Sequence, residues 1–403
     1  MQRLMALADI GAIDGGGCAR LALTDDDRAG RDLVVSWMRD LGLEVTVDVV
    51  GNVVGVWNVG SGAAVMTGSH IDTVRTGGKY DGNLGVLAGL EVIQTLQDAG
   101  LEPQRPVAVA FFTNEEGARY APDMMGSLAY VGAIPVEEVL DTVGIDGSRV
   151  GEELARIGYS GSVPCPGMVP HAFVELHIEQ GPVLEQEGFT IGAVTGVQGI
   201  SWQEVVVEGQ SNHAGTTPMS LRHDPAYVAA ELTVFLRDLA RRYGGHQVCT
   251  VGRVELHPNL INVVPARATL TLDVRNTDSG ILRRAEQEIS ARIEELRRDE
   301  AVTITTRQLA RFEPVVFDES VVRLVERTAQ AHGLSCMRLP SGAGHDAQML
   351  ARLCPTAMIF VPSHRGISHN PAEHTDEDQI EAGCNVLLHV MLGLAGTPGT
   401  AAS

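Results

Sequence analysis

The sequence predicts an α/β protein interrupted by a second, smaller α+β segment, and three observations carry that expectation. Apolar runs such as VAVAFFT at 107–113 and FVELHIE at 173–179 alternate with helix-period stretches in the first half of the chain. Residues 200–315 read instead as strand-helix-strand-strand-helix-strand, the split ferredoxin-like order. Four acidic or histidine clusters follow strand-like runs, where open α/β sheets gather ligands.

The elements follow in order. RAGRDLVVSWMRDLG, near 28–41, has an amphipathic helical period, and strand-like runs follow near 44–57 and 64–67. NLGVLAGLEVIQTLQD at 83–98 reads as a helix, and the glycine- and proline-rich stretch 158–170 as a surface loop. SWQEVVVEG opens the second segment as a strand, and Asp224-Pro225 starts a helix running to about Tyr243. QVCTVGRVEL and RATLTLDVRN are strands, ILRRAEQEISARIEELRRD is a charged helix and VTITTRQL is a last strand. The α/β pattern resumes near Phe317 and ends in a helix from about Glu377 to Leu394. The expected organisation is therefore one domain built from 1–199 and 317–403, with 200–316 inserted into it.

The chain has 403 residues, 44% hydrophobic, with 30 basic and 51 acidic residues for a net charge of −21. So acidic a surface disfavours nucleic acid and anionic membranes as partners, and an anionic substrate must be gripped by local cations. Six scattered cysteines without a CxxC pair argue against a zinc knuckle and for reduced thiols. The first residues lack a basic flank and apolar run, and no stretch is long enough to span a bilayer, so a cytoplasmic location is expected.

The chemistry is concentrated in GSHIDTV at 68–74, GGKYDGNLG at 77–85, TNEEG at 113–117 and ELHIEQGP at 175–182. A pair of divalent ions needs neutral imidazoles, ionised carboxylates and one carboxylate able to bridge. His70, Asp81, Glu116 and His177 supply those types, and the Glu115-Glu116 pair offers one ligand and one base. Alternation along HxD points Asp72 toward the side of His70, where it can hold the ring tautomer. Taken singly, each residue has a plainer reading as a solvated or satisfied polar group. Four clusters in order, each abutting a strand end, favour a metal hydrolase.

These motifs, with QSNHAGTTPM, PNLINVVP and SGAGHDA, resemble the hydantoinase/carbamoylase branch of the two-metal aminoacylase/carboxypeptidase superfamily, from about residue 25 to about 390. That branch includes N-carbamoyl-L-amino acid hydrolases, allantoate amidohydrolases and zinc-type β-ureidopropionases. The resemblance implies a mixed-sheet, metallo-aminopeptidase-like catalytic domain with a ferredoxin-like lid and dimerisation domain. It implies two divalent ions per subunit, zinc foremost, with manganese, cobalt or nickel tolerated. His70, His177 and a bridging Asp81 would hold one ion, and Glu116 and His369 the other. Spacing alone does not choose among His364, His369 and His374; the resemblance selects His369. Glu115 would be the general base, and His213 would reach the partner subunit's site to stabilise the oxyanion.

Asn262 and Arg275 would hold a substrate carboxylate, Gln180 the polar end, and Ala343 and Gly344 backbone contacts, with His345 beside them. By pattern alone, Arg275 fits equally a solvated sheet face and a bidentate carboxylate grip. The implied reaction is hydrolysis of an N-carbamoyl-L-amino acid, with allantoate or β-ureidopropionate as alternatives. Further alternatives are an aminoacylase or dipeptidase of the superfamily, and a non-catalytic binding protein; intact Glu115 and five ligands argue against the last.

Overall fold

The computed structural model describes residues 1–396. Two compact units divide the chain, Met1–Gly196 with Val316–Ser403, and Val197–Val315.

The first unit is a mixed α/β layer structure. Its nine-stranded sheet runs Glu44–Val47, Val53–Trp57, Val107–Phe112, Val65–His70, Ala172–Ile178, Thr356–Val361, Ile191–Val197 and Val315–Val316, with Cys336–Ser341 paired to Ile191–Val197. The central strands Val107–Phe112, Val65–His70, Ala172–Ile178 and Thr356–Val361 are parallel. Every residue of these four strands is buried, which explains why they read as continuous apolar runs rather than alternating ones. Their common direction brings their C-terminal ends to one edge of the sheet.

The stretch 44–57 folds as two antiparallel strands rather than one run. Asp48 makes the turn by accepting from the backbone N–H of Val50 and Asn52, and Gly51 takes a positive φ of 84°. The helix expected near residue 28 begins at Asp25, because Thr24 caps it and three aspartates occupy its first turn. Helix Asn83–Asp98 has the expected bounds and packs on Val65–His70. Among the described residues, no helix is long and apolar enough to cross a membrane.

The second unit has a four-stranded antiparallel sheet in the order Thr303–Phe312, Gly199–Glu208, Arg267–Asn276, Val248–His257. Helices Pro225–Tyr243 and Ser279–Asp299 cover it. Leu232, Leu236 and Leu239 from one helix and Ile289, Ile293 and Leu296 from the other meet Val205, Val207, Leu270 and Leu272 in a core of their own. A two-residue ladder, Asn212–His213 with Val263–Val264, projects as a separate pair of short strands.

Candidate metal centre

Each ligand type arrives at the parallel sheet edge on a different segment. His70 ends its strand and His177 is the penultimate residue of its own. Asp81 lies in the loop before helix Asn83–Asp98. Glu115 and Glu116 follow Val107–Phe112 after two residues, and His369 follows Thr356–Val361.

Asp81 stands at the centre. Its Oδ1 is 3.6 Å from His70 Nε2 and 3.2 Å from His177 Nε2. Its Oδ2 is 3.3 Å from His369 Nε2, which is itself 3.3 Å from Glu116 Oε2. Among the described residues three groups could hold an ion: His70-Asp81-His177 and Asp81-Glu116-His369, which share Asp81, and Glu175-His177-His345. Ligand atoms about 2.1 Å from a tetrahedral ion stand about 3.4 Å apart. The observed spacings match that edge length. Glu116 Oε1 is buried without a hydrogen-bond partner, as a carboxylate aimed at a cation requires. The residues present therefore fit two divalent ions.

The imidazoles are oriented for this task. His70 Nδ1 lies 2.8 Å from the carbonyl of Asp72, and His177 Nδ1 lies 2.8 Å from that of Ile178. Each Nδ1 therefore carries a proton, which leaves each Nε2 as the atom that would face an ion beside Asp81. This corrects one expectation: Asp72 holds the ring through its backbone carbonyl, not its side chain. Regular strand geometry stops at His70, so alternation no longer sets the Asp72 direction. The Asp72 carboxylate instead accepts from the backbone N–H of Glu115 and Glu116, at 3.2 and 3.3 Å, and so fixes the base–ligand pair.

Electrostatics agree with a site made for cations. Burial opposes a charged His70, yet the carboxylates of Glu115, Asp81 and Asp72 hold its pKa well above the ordinary value. Hydrogen bonds that His369 donates to Asp81 and Glu116 lift its pKa to about 10. Glu115 is pushed well above the usual carboxylate range by burial, with Asp346, Glu116 and Asp72 adding to it against the charge of His70. Its Oε2 lies 3.4 Å from His70 Nε2, beside the first group of ligands.

Gly82 closes the site: it has a φ of 65°, and a Cβ there would strike the His70 ring. Asn114, Gln180 and His369 also take positive φ, strain of the kind that gathers at functional sites. Gln180 donates from Nε2 to Asp81 Oδ2 at 2.9 Å. Ala343 and Gly344 lie half-buried before His345, which is buried and bonded to Ser341 Oγ at 2.8 Å. In the second unit, His213 and Asn262 sit together, with the Ala214 N–H bonded to the Asn262 carbonyl. His213 Nδ1 accepts from the backbone N–H of Gly215 and Thr216, so its exposed Nε2 is the donor. Arg275 is paired with Asp273 at 2.8 Å and stands over the Trp202 ring.

Sequence reasoning missed two buried carboxylates. Glu373 accepts from the backbone N–H of Tyr80 and Asp81 and from Ser368 Oγ, and burial pushes its pKa up to about 7. Glu175 accepts from Ser69 Oγ and the Ala347 N–H. Glu175 was findable, since it shares the period-two face of His177 on an otherwise apolar strand.

The profile of peptidase family M20/M25/M40 matches residues 66–393. The chain belongs to this family. Among M20 relatives, the N-carbamoyl-L-amino acid amidohydrolase of Geobacillus stearothermophilus is 40% identical, covering 98% of this chain and 97% of that one. The allantoate amidohydrolase of Escherichia coli is 35% identical, with 96% of each covered. A hydantoinase/carbamoylase family amidase from Burkholderia multivorans has a solved structure with a TM-score of 0.95 at 44% identity, covering 98% of this chain and 96% of that one. The M20 chain described here is thus a hydrolase of the hydantoinase/carbamoylase kind, whose relatives are named for cleaving amide C–N bonds.

Proposed function

We propose that this chain hydrolyses the ureido C–N bond of an N-carbamoyl-L-amino acid, consuming one water and releasing ammonia, carbon dioxide and the amino acid. One observation carries the reading: the two oxygens of Asp81 face two separate ligand groups, with Glu115 beside them. The amidohydrolase from Geobacillus stearothermophilus, alike over nearly its whole length, supports the substrate class.

When bound, two divalent ions, zinc foremost and manganese, cobalt or nickel also accommodated, polarise the ureido carbonyl and acidify water. Glu115 takes the proton from the attacking water and returns it to the leaving nitrogen. The outward Nε2–H of His213 reaches the partner subunit's site and donates to the oxyanion there. Asn262 and Arg275 hold the substrate carboxylate, with Asp273 and Trp202 fixing the plane of the guanidinium. Gln180, Ala343 and Gly344 contact the polar end. The second unit serves as a ferredoxin-like lid and homodimerisation domain, working in the cytoplasm.

Ammonia release tests the whole reading. The chelated protein should be inactive, and one of the four metals should restore turnover on N-carbamoyl-L-amino acids. Faster turnover on allantoate would favour the second reading, which the allantoate amidohydrolases of similar identity support. A metal-loaded protein inert toward every ureido compound would overturn both.

A further inference from the structure

Behind the ligand cluster lies a cation for which the hydrolytic reading has no task. Arg20 follows the glycine triplet 15–17, and none of it is exposed. Burying a guanidinium is costly unless every donor is met. Here each side-chain bond goes to a neutral acceptor. Nε donates to the Ile71 carbonyl at 2.8 Å, and Nη2 to Asn83 Oδ1 at 2.7 Å. Nη1 donates to the carbonyls of Leu7 and Ile10, both at 2.8 Å.

Two of these acceptors, the Ile71 carbonyl and Asn83 Oδ1, adjoin the segments that bear His70 and Asp81, and the other two tie the guanidinium to the N-terminal helix and the turn after it. Ile71 stands between His70 and the Asp72 carbonyl that orients the His70 ring. Asn83 opens the helix two residues after Asp81, and its Nδ2 donates to the Lys79 carbonyl on the other side. The backbone reinforces the link: the Arg20 N–H donates to Thr73 Oγ1 at 2.7 Å, and the Thr73 N–H to the Arg20 carbonyl at 2.9 Å. A planar guanidinium holds its acceptors at fixed separation, which a lysine, a point charge with freely rotating donors, does not.

We infer that Arg20 is a positioning residue that sets the spacing of the His70 and Asp81 loops and thereby the affinity of the site for its ions. The inference rests on the two-metal reading. Arg20 reaches the ligands only through other residues.

The test titrates cobalt(II) alone into the chelated full chain, following calorimetry and visible absorption well below the unfolding temperature. Arg20→Lys breaks the fork, and Asn83→Ala cuts the tie to the Asp81 loop while leaving the arginine. Both should bind cobalt about tenfold or more weakly, as loss of a residue that orients a metal ligand does. Leu232→Ala, in the core of the second unit, should lower the unfolding temperature and leave cobalt binding unchanged. Wild-type binding of two ions, with both variants matching it, overturns the inference alone. A wild-type chain that binds no ion pair overturns the two-metal reading and this inference with it. If Arg20→Lys does not fold, Asn83→Ala decides by the same outcomes.

Discussion

At Asp81 the two carboxylate oxygens face different neighbours, Oδ1 toward His70 and His177 and Oδ2 toward His369. Removing that one side chain should empty both positions, so Asp81→Ala should retain less than one ion per chain by elemental analysis. Glu115 is adjacent to the ligands yet outside both ligand groups. Glu115→Gln should keep its metal and lose about 100- to 10,000-fold in kcat, the range of a missing general base. Retained turnover would return Glu115 to a structural role. Away from the site, the Ser148 hydroxyl, the Ser148 N–H and Arg119 hold Asp146 down at about 2. A depressed acid stabilises the fold above its unfolded pKa of about 3.9 and ceases to as pH falls through the folded value. Asp146→Ala should therefore lower Tm slightly at pH 7, and the difference should vanish between pH 4 and 2. Asp146 is exposed, so the effect is small.

At the scale of elements, helix Pro225–Tyr243 begins with Asp224 accepting from the backbone N–H of Ala226 and Tyr227. Asp224→Ala should cost about 1 kcal/mol in denaturant unfolding. That helix was legible in the sequence because its cap, proline and apolar period agree. Helix Asn83–Asp98 and strand Arg267–Asn276 were equally so. The helices Met125–Tyr130 and Val136–Asp141 were not: six residues each are too few to show a period. The N-terminal helix Gln2–Ala8 was hidden for the same reason. At the site, the residues facing the ions were readable as histidines and carboxylates at strand ends. Those that hold them, Arg20 and Glu373, were not, because the partners that link them to the site include backbone groups distant in sequence. The direction of Asp72 failed where the strand stopped and the alternation rule lost its basis.

Across the whole molecule, all five proposed ligands belong to one unit, while the other has a core of its own. A ligand that binds only folded protein stabilises what it binds, by about 2.7 kcal/mol at 100 times Kd. Differential scanning calorimetry should show the transition of the first unit moving up with added zinc and down with chelator. The transition assigned to the second unit should stay in place. A common shift of both would mean that the two unfold as one. The same arrangement has a consequence for synthesis. The strand Thr356–Val361 and His369 are made only after all of Val197–Val315. A growing chain on the ribosome thus has His70, Asp81, Glu116 and His177 long before the central sheet can close around them. On the two-metal reading, His369 completes the second ligand group only late in synthesis, so a full ion pair would be captured by chains translated past that residue.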